Sequence, residues 1–141
     1  PNWDPSGEWS GFDELLRQVD VFLPNEKEAQ ALTGVVSIEA AAEVLCQKCD
    51  NVVIKLGAQG GLACHGKQTT RASALTIQVV DTVGAGDSFD GGFLYGYLHG
   101  WSLERSLSLA AVCGSLSTSR AGGTTAQPTL EEAMKHVAPA G

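Results

Sequence analysis

The run Asp81-Thr82-Val83-Gly84-Ala85-Gly86-Asp87-Ser88-Phe89-Asp90-Gly91-Gly92-Phe93 constrains this chain more than any other stretch. Before it, Leu75 to Val80 alternates apolar and polar side chains and predicts a strand. After it, apolar residues at helical spacing predict a helix from about Asp87 to Leu98. A glycine-bracketed turn between the two aims the helix's unpaired N–H groups, and the positive end of its macrodipole, across the turn. Glycines at 84 and 86 permit backbone angles that other residues resist and let a ligand approach those amides. Such a turn suits an anion, and a phosphoryl group in particular. Asp87 stands at the edge of the hole. A carboxylate there disfavours simple phosphate binding, but it can accept a hydroxyl proton during phosphoryl transfer. The plainer reading is that Asp87 caps the helix and the glycines only turn the chain.

The remaining elements fall around this turn. Phe12 to Arg17 predicts a short helix, with Ser10 or Asp13 near its start. Val19 to Leu23 predicts a strand stopped by Pro24, followed by a helix over Glu26 to Leu32 closed by Gly34. Ser37 caps a helix over Ile38 to Cys49, and Val52 to Leu56 is a second strand. Leu62 to Cys64 and Lys67 to Arg71 pair as a hairpin. Ser102 caps a helix over Leu103 to about Ser119, and Pro128-Thr129 starts the last helix after a glycine/threonine loop. Phe89, Phe93, Tyr97 and Leu98 share helical spacing and read as core. Gly91, Gly92 and Gly96 cost helix stability, which implies close contact between this helix and a sheet. Strand–helix units followed by consecutive helices predict a layered α/β fold.

Composition narrows the function. A net charge of −7 argues against nucleic acid as a partner, whereas a phosphorylated small molecule needs only a local site. No apolar run reaches the roughly 20 residues of a membrane span, so a soluble, cytoplasmic protein without a membrane partner is expected. Cys46 and Cys49 form a C-x-x-C without a second pair or a suitably spaced histidine, and read as structural thiols. The chain opens on Pro1 inside a turn-rich stretch reaching Gly11, which suggests a fragment.

Over its whole length, D-T-x-G-A-G-D-S-F resembles the second signature of the ribokinase-like (PfkB) family of ATP-dependent carbohydrate kinases. The resemblance implies that Asp87 is the catalytic base and that the amides around Gly84, Ala85 and Gly86 form the anion hole. Asn25-Glu26-Lys27-Glu28 resembles the family's N-x-x-E motif, which implies that Glu28 helps place magnesium, usually through water, while Asn25 supports phosphate. Lys55-Leu56-Gly57-Ala58-Gln59-Gly60 resembles the strand-end loop that borders the nucleotide. Gly57 and Gly60 would lie against ATP, and Lys55 either faces the phosphates or is a solvated strand-end lysine. Ala110 to Ser115 occupies the adenine side, where Ala111 and Gly114 leave room for a flat base, although many relatives carry asparagine near 111. Asp81 and Val83 match positions whose carbonyls line a potassium (K+) site in several relatives, closed by the loop Arg120 to Thr124.

The implied fold is a layered ribokinase-like sheet flanked by helices, with residues 1–141 forming the carboxy-terminal, nucleotide-binding half. The amino-terminal sugar-binding part and its lid are absent from that half. The implied activity is phosphorylation of a sugar hydroxyl by ATP with Mg2+. The alternatives are an ATP-binding fragment without activity by itself and a non-catalytic relative used in assembly or regulation. A truncated sheet would expose apolar surface and an unpaired edge, so self-association or a homodimer is also expected.

Overall fold

The computed structural model describes residues 11–137. The turn-rich opening up to Ser10, including Ser10 as a cap, lies outside them. The described residues form two compact units: 11–56 with 62–70, and 57–61 with 71–137.

The first unit is a sheet covered by helices. Helix α1 (Phe12–Leu16) precedes strand β1 (Val21–Phe22), helix α2 (Glu26–Thr33), helix α3 (Ile38–Cys46) and strand β2 (Asn51–Lys55). Strands β3 (Gly61–His65) and β4 (Gln68–Ala72) complete a four-stranded sheet in the order β1-β2-β3-β4. β1 and β2 run parallel, with Val21 opposite Asn51 and Phe22 opposite Val52. Val52, Val53 and Ile54 are fully buried, as expected of a strand apolar on both faces. Val52, Ile54, Leu62 and Cys64 share a core with Phe22, Ala29, Ala41 and Leu45 from β1 and the helices.

Local chemistry sets these boundaries. The Ser37 hydroxyl accepts from the Ala40 N–H at 3.4 Å, and Gly34 closes α2 at φ 68°. α3 ends at Cys46, three residues earlier than its periodicity predicts, because both Lys48 and Cys49 N–H donate to Leu45 O and tighten the chain into a turn. The C-x-x-C pair is thereby split between a helix end and a turn. The Cys49 Sγ lies 3.3 Å from Asn51 O, and the half-buried Cys46 is a free thiol. Burial pushes the Cys46 and Cys49 thiols up, which disfavours the reactive thiolate.

The second unit is helical. Its main elements are α4 (Ala85–Leu98), α5 (Leu103–Ser117) and α6 (Leu130–Met134). Ser102 accepts from the Arg105 N–H at 3.3 Å, and Thr129 forms a capping box with Glu132. The expected strand over Leu75–Val80 does not form. Its hydrogen bonds go to α5 instead: Leu75 N–H donates to the Ser115 hydroxyl at 3.0 Å, and Val80 N–H donates to Thr118 O at 2.7 Å. The alternating pattern therefore describes an extended strap pinned at both ends.

The glycines of α4 also meet a different partner from the one expected. A Cβ at Gly92 would lie 2.9 Å from the Ala110 Cα, and one at Gly96 would lie 2.6 Å from the Ser106 Oγ. The close contact is with helix α5, not with a sheet, and a Cβ at Gly91 would meet nothing within 4 Å. Phe89 and Phe93 are buried as predicted. Leu98, by contrast, is 77% exposed and Tyr97 38%, because they lie at the helix end beyond the Gly96 contact.

Candidate functional site

Asp81 to Asp87 leads into a helix amino terminus, as its sequence predicts. The helix starts at Ala85, two residues before the predicted start, because Gly84 serves as N-cap in the left-handed region at φ 77°. No side chain caps this end. Asp87, in the first turn, is therefore exposed and is not the cap, which removes the cap explanation for an acid at this position. The Ala85 N–H donates to Thr82 O at 3.2 Å. In an α-helix the next two amides, Gly86 and Asp87, have no intrahelical acceptor.

A cavity of about 480 Å³ opens against this turn, within the size range of small-molecule sites. Thr82, Ala85, Gly86 and Phe89 form one wall, and Ala111, Gly114 and Ser115 of α5, with Thr118 at its carboxy-terminal end, form another. Gly57, Ala58 and Gly60 and the 74–79 strap close it. Six of the expected residues, Gly57, Gly60, Ala85, Gly86, Ala111 and Gly114, thus come together in one unit. Asp87 lies outside this lining and borders a second cavity of about 230 Å³ with Ser88, Gly91 and Tyr95. The Ser88 Oγ there is buried without a hydrogen-bond partner.

The strap's anchor was not visible in the sequence. Ser115 is buried, and its hydroxyl donates to Ala111 O at 2.7 Å while accepting from Leu75 N–H at 3.0 Å. A serine inside a predicted helix gives no sign of such a partner 40 residues away.

Asp81 works through its side chain. Its two carboxylate oxygens accept from Val83 N–H at 3.0 Å and Gly122 N–H at 3.3 Å, tying the turn before α4 to the loop after α5. The Val83 bond, and then the Gly122 bond, hold the Asp81 carboxyl below the usual carboxylate range. A group whose pKa is depressed on folding contributes above its unfolded value and loses that contribution as pH falls through the folded value. The Gly122 amide resonance should therefore titrate with a midpoint below the ordinary aspartate range. A midpoint at the ordinary value in an NMR pH series would show that this tie is not held in solution.

Asn25, Glu28 and Lys55 belong to the first unit. Asn25 and Glu28 form a capping box: the Asn25 Oδ1 accepts from Glu28 N–H at 2.9 Å, and the Glu28 carboxylate accepts from Asn25 N–H at 2.8 Å. Glu28 is buried, which is unusual for a carboxylate in a first helical turn. Lys55 ends β2, and its N–H donates to Pro24 O at 2.9 Å. Among the described residues, no helix is long and apolar enough by itself to cross a membrane.

The chain is similar in sequence and fold to known proteins. The pfkB family carbohydrate kinase profile matches residues 1–130. Ribokinase of Haemophilus influenzae is 30% identical over 129 residues, covering 87% of this chain and 42% of that protein. Ribokinase of Arabidopsis thaliana, solved with ribose and ATP, superposes with a TM-score of 0.79 at 32% identity, covering 87% of this chain and 42% of that one. A double mutant of Vibrio cholerae O395 fructokinase, solved with fructose, ADP and a potassium ion, gives a TM-score of 0.80 at 27% identity, covering 96% and 46%. The chain therefore spans less than half the length of the relatives it matches. The mixed α/β architecture is that of ribokinase-like kinases. With the profile covering most of its length, the chain belongs to the PfkB family of carbohydrate kinases.

Proposed function

We propose that this chain is the nucleotide-binding and catalytic portion of a kinase that transfers the γ-phosphoryl group of ATP to a sugar hydroxyl. One observation carries the reading: the cavity lies directly against the glycine-capped amino end of α4. ATP occupies the cavity, with its base between the strap and α5 and its phosphates towards Thr82 and Gly86. The amides at the start of α4 stabilise charge on the transferred group. Asp87, on the side of the second cavity, accepts the proton of the attacking hydroxyl. Residues that select the sugar belong, in this reading, to the part of the relatives' length that this chain does not span.

Among the described residues, no three His, Cys, Asp or Glu side chains cluster to cage a metal. That fits magnesium, which keeps several waters and is commonly held by substrate phosphates and one or two carboxylates. Glu28 is the carboxylate proposed to support it, and Asn25 and Lys55 are proposed to support phosphate, as the motifs that carry them imply. The Asp81 and Val83 carbonyls are proposed to line a potassium site, since the Asp81 carboxylate already fixes the loop that would close it.

Calorimetric titration of ATP with and without Mg2+ tests the reading. Magnesium should raise the affinity of the unaltered chain. Glu28→Gln should cut that gain by about tenfold, the usual cost of losing a supporting residue around a metal. Glutamine at this position still completes the capping box, so the fold is preserved. An identical magnesium gain in both proteins would remove Glu28 from the metal site, and no ATP binding at all would refute the nucleotide assignment.

A further inference from the structure

We infer that the donor site does not read the nucleotide base, so that GTP and ITP bind it about as well as ATP. The inference rests on assigning the cavity of about 480 Å³ to a nucleotide. Strong base discrimination requires a fixed donor or acceptor facing the base edge, left unpaired by the wrong base. Adenine presents an amino group where guanine and hypoxanthine present a carbonyl, so a single committed partner would suffice.

The described residues lining this cavity include no Asn, Gln, Asp, Glu, Arg, Lys or His. Its polar side chains are four hydroxyls: Thr76, Thr82, Ser115 and Thr118. Ser115 is spent on both sides, donating to Ala111 O and accepting from Leu75 N–H. The Thr118 hydroxyl donates to Ser115 O at 2.8 Å. Thr76 and Thr82 carry hydroxyls that rotate to donate or accept, so either can satisfy an amino group or a carbonyl. The strap's backbone is partly committed as well, because Leu75 N–H bonds to Ser115 of α5 and Val80 N–H to Thr118 just beyond it. The other side chains form an apolar slot, with Leu75, Ile77 and Val79 on the strap and Ala111 and Gly114 on α5. Such a slot recognises the flat shape of a purine and is indifferent to its edge.

The test is calorimetric titration of the chain with the magnesium complexes of ATP, GTP and ITP. The expected dissociation constants agree within tenfold. A preference for ATP above tenfold would overturn the inference while leaving the nucleotide assignment intact. Failure of every nucleotide to bind would overturn both. Gly86→Leu locates the site: Gly86 lines the cavity at an ordinary helical position, where a Cβ would meet nothing within 4 Å, so the new side chain fills space without straining the fold. It should weaken all three nucleotides by tenfold or more. Unchanged binding in Gly86→Leu would place the nucleotides elsewhere and sink the inference.

Discussion

Asp87→Asn, in a full-length kinase carrying this sequence, is expected to lower turnover by about 10²–10⁴-fold, the usual loss when a general base is removed. That corresponds to about 3–5 kcal/mol of transition-state stabilisation. Asparagine keeps the size and the hydrogen-bonding capacity but cannot take the hydroxyl's proton. Nucleotide affinity should hold or rise slightly, because a negative charge near the phosphates has gone. The fold should also survive. Gly84 is the N-cap and no side chain caps α4, so the helix loses only a first-turn dipole interaction of roughly 0.3–1 kcal/mol. Steady-state kinetics and ATP titration on the same protein separate the outcomes. Turnover within a fewfold of the unaltered enzyme would mean that Asp87 is not the base. Joint collapse of turnover and affinity would make its role structural.

The largest effect on stability is expected from Gly60→Ala. Gly60 sits at φ 89°, and a Cβ there would collide with the Ala72 carbonyl oxygen and approach the Ala74 nitrogen to 2.7 Å. Both are backbone atoms, so no rotamer change relieves the clash. Left-handed strain of roughly 1–2 kcal/mol adds to roughly 1–3 kcal/mol of overpacking. The sum is about 3 kcal/mol, enough to lower Tm by about 10 °C in a chain of this size. Gly57→Ala is the matched control. Its φ of 56° carries the strain, but its Cβ would meet nothing within 4 Å, so only the first cost applies. Thermal unfolding of the two variants should show Gly60→Ala as clearly the less stable. Equal melting temperatures would mean that the 57–60 loop moves away from Ala72 in solution.

The comparison of Gly57 with Gly60 also shows what a sequence can disclose. Both glycines were legible as loop residues after a strand, but only the fold reveals which backbone lies against each. The Asp81–Phe93 run was legible almost in full, because a helix start is a local event decided by neighbouring residues. The Leu75–Val80 strap was misread, because its alternation is equally compatible with a sheet and with an extended chain hung from α5. Its hydrogen-bond acceptors, the Ser115 hydroxyl and the Thr118 carbonyl, are remote in sequence, and one of them is backbone. Asp81 was assigned by its carbonyl, while its carboxylate performs the visible work of joining Val83 to Gly122. Gly92 and Gly96 announced a close approach without naming its partner, since a missing Cβ says nothing about what replaces it.

That approach turns α4 into a lever with its fulcrum at Gly92. From Gly92 back to Ala85 is seven residues, or about 10 Å of helix. A tilt of about 10° at the fulcrum would swing the amides at the start of α4 by about 2 Å, far beyond what a productive active-site geometry tolerates. Side chains at a helix crossing can adjust to one another and let such a tilt accumulate, but backbone resting on backbone has no such slack. Gly92 therefore aims the helix as well as packs it, and even a single methyl group there should misdirect the amino end of α4 two turns away.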